Sequence, residues 1–173
     1  MKARSGPLLL GAVSLACSVA GLVFAGTQLT DTDRAFLDAV AASDVAQVEL
    51  SRAALPRLQT PAANHLAQTI TSDHNANYQA LLDLCRQKQY VIAPQLDTYH
   101  GELLRRIRDA ASTEAAERIY IDAVSADQSA LNSLLEQTAG NSNDTEIARF
   151  ASDLLTTVKS HSSTAQQLSD FSR

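Results

Sequence analysis

The chain has 173 residues, of which 45% are hydrophobic and 5% aromatic, with no tryptophan and a formal net charge of −5. That length suggests one domain able to bury a core. Six glycines and four prolines are too few for a turn-rich β-sandwich, and a mildly acidic chain without a basic patch argues against nucleic acid as a partner.

The N-terminal segment is unlike the rest. Lys2 and Arg4 precede an almost unbroken apolar run from Leu8 to Ala25, and Val23-Phe24-Ala25 offers a cleavage point before Gly26. Residues 1–25 read as a signal peptide. An uncleaved anchor is the alternative, since Pro7 to Ala25 is nearly long enough to span a bilayer. Lipidation at Cys17 is another, although the large aliphatic residue of Ser14-Leu15-Ala16-Cys17 sits one place late for a lipobox. Each version exports the domain to the periplasm or envelope and confines any membrane contact to this segment. Cys85 would be the one cysteine of the cleaved chain, and Leu81, Leu82 and Leu84 around it suggest a buried, inert thiol.

After a linker over residues 26–30, the spacing predicts a helical bundle over 31–172. Thr30 or Asp31 caps a first helix to about Leu55, with Phe36, Leu37, Val40, Val48 and Leu55 on one side. Pro56 and Pro61 bracket a turn in which Thr60 caps and Pro61 takes the first position of a second helix, running to about Gln89. A break holding Pro94 leads to a shorter helix from Leu96 to Ala111. A fourth helix, opened by Ser112 or Thr113 with Glu117 as a capping companion, reaches about Thr138 and buries Ile119, Tyr120, Val124, Leu131, Leu134 and Leu135. Gly140-Asn141-Ser142-Asn143 is the clearest turn signal, and Asp144 begins the last helix. The expected fold is all-α, a four-helix bundle with a crossover and one shorter connecting helix.

Turning each helix through about 100° per residue puts a polar group on every long apolar stripe. Asp44 lies there on the first helix, His74 and Asn77 on the second with Asp73 at the edge, Asp127 on the fourth and His161 on the fifth. Asp44 and His74 each stand 15 residues from the turn centred near Gln59, which predicts a common level in an antiparallel pair. Asp127 and His161 are offset by six residues, or ~9 Å, across their own turn. Several buried ionisable groups require mutual pairing or a ligand. An Asp–His network that fixes register is the first reading, and a metal or small-ligand site the second. A di-iron centre needs Glu-x-x-His pairs to place both ligands on one metal, and the sequence has none. Its nearest equivalent, Asp97-x-x-His100, opens the short helix, where Asp97 serves better as a cap. The basic run Arg105, Arg106 and Arg108 reads as a solvated face, and His65 as peripheral.

Four stretches in this order and spacing carry a family resemblance: Phe36-Leu37 through Val48-Glu49-Leu50, Ser72-Asp73-His74, Leu96-Asp97-Thr98-Tyr99-His100, and Val158-Lys159-Ser160-His161. Over about residues 33–170 the chain resembles the bacterial exported proteins of domain-of-unknown-function family 4142, of the ferritin-like clan. The resemblance implies a ferritin-like bundle in the periplasm or outer envelope, with no established activity. It also implies a second Asp-His on the later helix, whereas here Asp127 is followed by Gln128, and the glycine expected after Val48-Glu49-Leu50 is Ser51. The function expected is therefore a non-enzymatic interaction or stress-related envelope protein with no cofactor. The alternative is a metal- or small-ligand-binding bundle using Asp44, Asp73, His74, Asn77, Asp127 and His161.

Overall fold

The structure, a computed structural model, describes residues 28–171. The expected signal segment, its cleavage point before Gly26, and Cys17 lie outside the described residues, as does position 172. Five helices follow one another: α1 (Asp31–Ala54), α2 (Pro61–Gln87), α3 (Thr98–Asp109), α4 (Thr113–Asn141) and α5 (Thr145–Phe171), with a short 3-10 turn, Leu55–Arg57, closing α1. Among the described residues there is no strand, and no helix is long and apolar enough to cross a membrane.

The chain writes the helix ends out in its capping residues. Thr30 and Asp33 form a capping box, in which the Thr30 hydroxyl accepts from the Asp33 backbone N–H at 3.1 Å and the Asp33 carboxylate accepts from the Thr30 N–H at 3.0 Å. Thr60 caps α2 ahead of Pro61, Asp97 caps α3 and Ser112 caps α4. Asp144 accepts from the backbone N–H groups of Glu146 and Ile147 at the start of α5. Two sequence expectations need correction here. Glu117 is not a partner of Thr113 in a cap; its carboxylate reaches across to the α1–α2 turn. Gly140 and Asn141 do not turn but remain helical, because the Ser142 N–H still closes onto the Thr138 carbonyl and the reversal falls on residues 142–144.

The four long helices form a ring in the order α1, α2, α5, α4, each packed on its two neighbours. Contacts at the ends fix the directions. Glu117, at the start of α4, accepts from the Gln59 and Thr60 N–H groups at 2.6 and 3.0 Å and from the Thr60 hydroxyl at 2.8 Å, beside the end of α1. At the opposite end Lys88, just past α2, meets Asp144 at 2.5 Å and Glu146 at 2.6 Å, and the Ser142 hydroxyl donates to Asp33. Every neighbouring pair is thus antiparallel. The segment 88–97 leaves α2 by a left-handed Gln89 (φ 54°) and crosses the outside of α1, where the Tyr90 hydroxyl donates to Asp38. Then α3 lays Leu103, Leu104 and Ile107 into the cleft between α1 and α4.

Burial separates into two apolar clusters at the two ends of the ring. One is built on Phe36, Leu37, Leu81, Leu135 and Ile147, the other on Leu50, Ile70, Ile107, Tyr120 and Ile121. Cys85 lies buried in the first, and desolvation pushes its thiol up to about 11, which makes it inert at neutral pH. Between the clusters runs a belt of polar side chains.

Candidate functional site

The belt begins in the α1–α2 pair. His74 Nδ1 lies 2.7 Å from Asp44 Oδ1, and the Asn77 amide donates to Asp44 Oδ2 at 2.7 Å. Asp44 and His74 are both buried, 1% and 2% exposed, so their charges must be met within the protein. The equal heights read from the sequence bring these two together. With Asp44 ionised, His74 Nδ1 carries the hydrogen and Nε2 is left as an acceptor. The Gln128 amide, fully buried on α4, donates to it at 3.1 Å and lies 3.4 Å from the Gln47 carbonyl oxygen. Gln47 passes the chain on, its own amide donating to Asp127 Oδ2 at 2.8 Å. His100 Nε2 lies 3.3 Å from that same oxygen, and His100 Nδ1 lies 2.8 Å from Asp97 on the surface. One line of hydrogen bonds therefore runs from α2 through α1 and α4 to the N-terminus of α3.

A second pair stands beside it. His161 Nε2 lies 3.0 Å from Asp73 Oδ2, and the His161 and His74 rings are 5.7 Å apart between centroids. Because Asp73 and His74 are successive helical residues, their side chains diverge and serve different partners. Buried His161 Nδ1 and Gln128 Oε1 have no hydrogen-bond partner among the described residues. On the other flank the Ser51 and Tyr120 hydroxyls hydrogen-bond at 2.9 Å, both buried.

The six residues singled out in the sequence thus divide into three sets: Asp44, His74 and Asn77 together, Asp73 with His161, and Asp127 apart. One expectation is corrected. Asp127 is not central on α4. The buried line there is Ile121, Val124, Gln128, Leu131 and Leu135, which turns Asp127 toward α1 and α3 with its side chain 15% exposed. His161 stays clear of Asp127, in keeping with the six-residue offset read from the sequence, and meets Asp73 instead. Gln128, His100 and Glu117 were missed. Gln128 carried a readable signal, lying seven residues from both Ile121 and Leu135. His100 was visible only as the partner of a cap.

Burial raises Asp44 above the ordinary carboxylate range, opposed by the His74 hydrogen bond and charge and by Asn77. It raises Asp127 likewise, opposed by His100 and Gln47. It lowers His161, with Asp73 acting against it and the His74 ring with it. The sign for stability follows from linkage. A histidine depressed in the folded state stabilises above its unfolded value of 6.5, and that contribution is lost as pH falls through the lower folded value. We expect the urea midpoint to drop as pH falls through and below 6.5, and His161→Gln to flatten that slope. An unchanged slope in the variant would assign the loss to other groups.

These residues do not fit a di-metal centre. Both nitrogens of His74 are engaged by Asp44 and Gln128, Asp127 faces away from the histidine pair, and among the described residues no three His, Cys, Asp or Glu side chains converge as a metal site.

A family model described as "Domain of unknown function (DUF4142)" matches residues 22–168. The chain belongs to the DUF4142 family. The match takes in α1 to α4 and α5 up to residue 168, so the whole polar belt lies within the DUF4142 region. No curated protein matches. Among solved structures, the chain is similar to the crystal structure of a DUF305 fragment from Deinococcus radiodurans. That likeness has a TM-score of 0.71 at 13% identity and covers 82% of this chain and 97% of that one. At that identity it shows the helical fold and nothing further. In this DUF4142 chain, Gln128 stands where the resemblance implies a histidine, and its side-chain amide donates to His74 Nε2.

Proposed function

We propose that this protein is exported to the cell envelope and works there as a non-enzymatic bundle, its polar belt being architecture that fixes how the helices meet. The observation that supports this reading most is that the Asp44, His74, Gln47 and Asp127 part of the belt is hydrogen-bonded within itself, with His161 Nδ1 and Gln128 Oε1 left over. Asp44 has Asn77 and His74, His74 has Asp44 and Gln128, and Gln47 joins Gln128 to Asp127. A hydrogen-bonded core of this kind penalises every helix register but one, because a shifted register leaves buried donors and carboxylates unpaired. The single crossover between two antiparallel hairpins is also the connectivity of ferritin-like bundles, which supports that lineage without an oxidase centre. Export rests on Lys2, Arg4 and the apolar run Leu8 to Ala25.

The test is to express the full chain in a Gram-negative host, fractionate the cells and take the mass of the recovered protein, with metal analysis in the absence of chelators. The expected result is periplasmic or membrane-fraction protein, cut before Gly26, lipidated at Cys17 or intact, carrying less than about 0.1 metal per chain. Cytosolic protein would overturn the export. Near-stoichiometric metal that is lost in a folded His74→Ala, His161→Ala variant would overturn the architectural reading of the belt.

A further inference from the structure

The cleft between α1 and α4 is only half covered. Leu103, Leu104 and Ile107 of α3 fill the half nearer the α1–α2 turn, and below the N-terminus of α3 the cleft lies open. Its first compartment, about 330 Å³, is walled by Ala39 and Ala42 of α1 and Ala130 and Leu134 of α4, and ends on His100 and Asp127. A second, about 520 Å³, shares Ala39 and Leu134 with the first and continues to Ser142. The first compartment has small-residue and aliphatic walls with the carboxylate–imidazole pair at one end, whereas the second is lined mainly by polar side chains, Asp33 and Gln137 among them.

The charge at that end is unbalanced. Asp127 Oδ2 receives Gln47 and His100, but Oδ1 has no hydrogen-bond partner among the described residues. His100 is shared between Asp127 and Asp97, so even a fully protonated imidazole leaves two carboxylates against one cation. Among the described residues, no lysine or arginine lines either compartment. Burial lifts the Asp127 carboxyl, which reflects the cost of holding this charge half out of water. A monovalent cation that brings its own hydrogen-bond donors and an apolar tail would meet both the charge and the walls.

We propose that this groove is a binding site for a small amphiphilic amine, its ammonium group donating to Asp127 Oδ1 and its hydrocarbon tail lying between Ala39, Ala42 and Leu134. The site is independent of the architectural role given to the belt, since the ammonium takes the oxygen of Asp127 that the belt leaves free. The net negative end selects against carboxylates by repulsion and against neutral alcohols by the missing charge.

The test is isothermal titration of the full chain at low ionic strength with n-hexylamine, n-hexanol and n-hexanoate. Hexylammonium should bind roughly tenfold or more tighter than hexanol, as a charge-assisted hydrogen bond requires, with hexanoate weakest. Asp127→Asn should bring the amine down to the level of the alcohol, and Ala39→Trp, filling the wall, should weaken amine and alcohol together. Should Asp127→Asn fail to fold, a pH series on the parent gives the same discrimination. The preference for amine over alcohol should fade as Asp127 protonates above the ordinary carboxylate range, while alcohol binding stays level. Equal affinity for amine and alcohol, an Asp127→Asn variant that binds amine like the parent, a preference indifferent to pH, or an Ala39→Trp variant that binds as before would each overturn the proposal.

Discussion

Asp44→Ala is expected to destabilise the bundle by roughly 3–5 kcal/mol, the range for breaking one partner out of a buried pair. The side chain is 1% exposed and accepts from two helical positions at once, His74 and Asn77, both at 2.7 Å. Its loss strands the His74 N–H where water does not reach and releases the half-buried Asn77 amide, and only the α1–α2 pair feels it directly. In a domain of this size the melting temperature should fall by on the order of 10 °C. Asp44→Asn should cost less, since one oxygen remains to accept. The informative companion is Asp44→Leu with His74→Leu, which removes both charges and packs the space with carbon. By the behaviour of other buried pairs that double variant should recover the lost stability or exceed the parent. If the belt fixes register, the double variant should also show broadened or doubled backbone resonances. A double variant as uniformly folded as the parent would show that apolar packing alone sets the register. An Asp44→Ala variant within about 1 kcal/mol of the parent would mean that the pair contributes little.

The second large effect should come from Glu117→Ala, at about 1.5–3 kcal/mol, the scale of hydrogen bonds to a charged group. This carboxylate is 8% exposed and gathers two backbone N–H groups and one hydroxyl from the α1–α2 turn. It belongs to α4, so it ties the second hairpin to the first where α2 begins and where the helix dipole favours negative charge. Denaturant titration should show a lower midpoint with an unchanged slope, because the surface exposed on unfolding is the same. Glu117→Gln should keep part of the stability, since its carbonyl oxygen still accepts. Equal losses in both variants would indicate that the charge, not the acceptor geometry, carries the effect.

The architecture was readable because it is governed by local rules. Thr30, Thr60, Asp97 and Asp144 are capping residues ahead of amphipathic runs, and each opens the helix expected of it. The Asp44–His74 contact was readable for the same reason, since counting residues from a short turn gives the relative height of two antiparallel side chains. What was not readable depended on how α4 is rotated. One residue of rotation, about 100°, decides whether Asp127 or its neighbour Gln128 enters the core. An Ala-rich helix with its apolar residues spread as widely as those of α4 does not fix that angle by pattern alone. Its packing against α5, α1 and α3 fixes it instead, and that packing is long-range. His100 went unseen as a belt member because its reach to Asp127 depends on where α3 docks. Glu117 was assigned a neighbour four residues away, when its partners lie 57 and 58 residues back along the chain.

The crossover over residues 88–97 passes outside the ring, and α3 enters its cleft from the solvent side. The α1–α2 hairpin and the α4–α5 hairpin are therefore never threaded through one another. They meet along one continuous seam, held by Gln128 and Glu117, by Gln47–Asp127, Asp73–His161 and Lys88–Asp144, and by both apolar clusters. Lengthening this connection adds only loop-closure entropy, about 0.6 kcal/mol for each doubling. Val91, Ala93 and Gln95 already stand exposed there, so an inserted domain could be accommodated without disturbing either half.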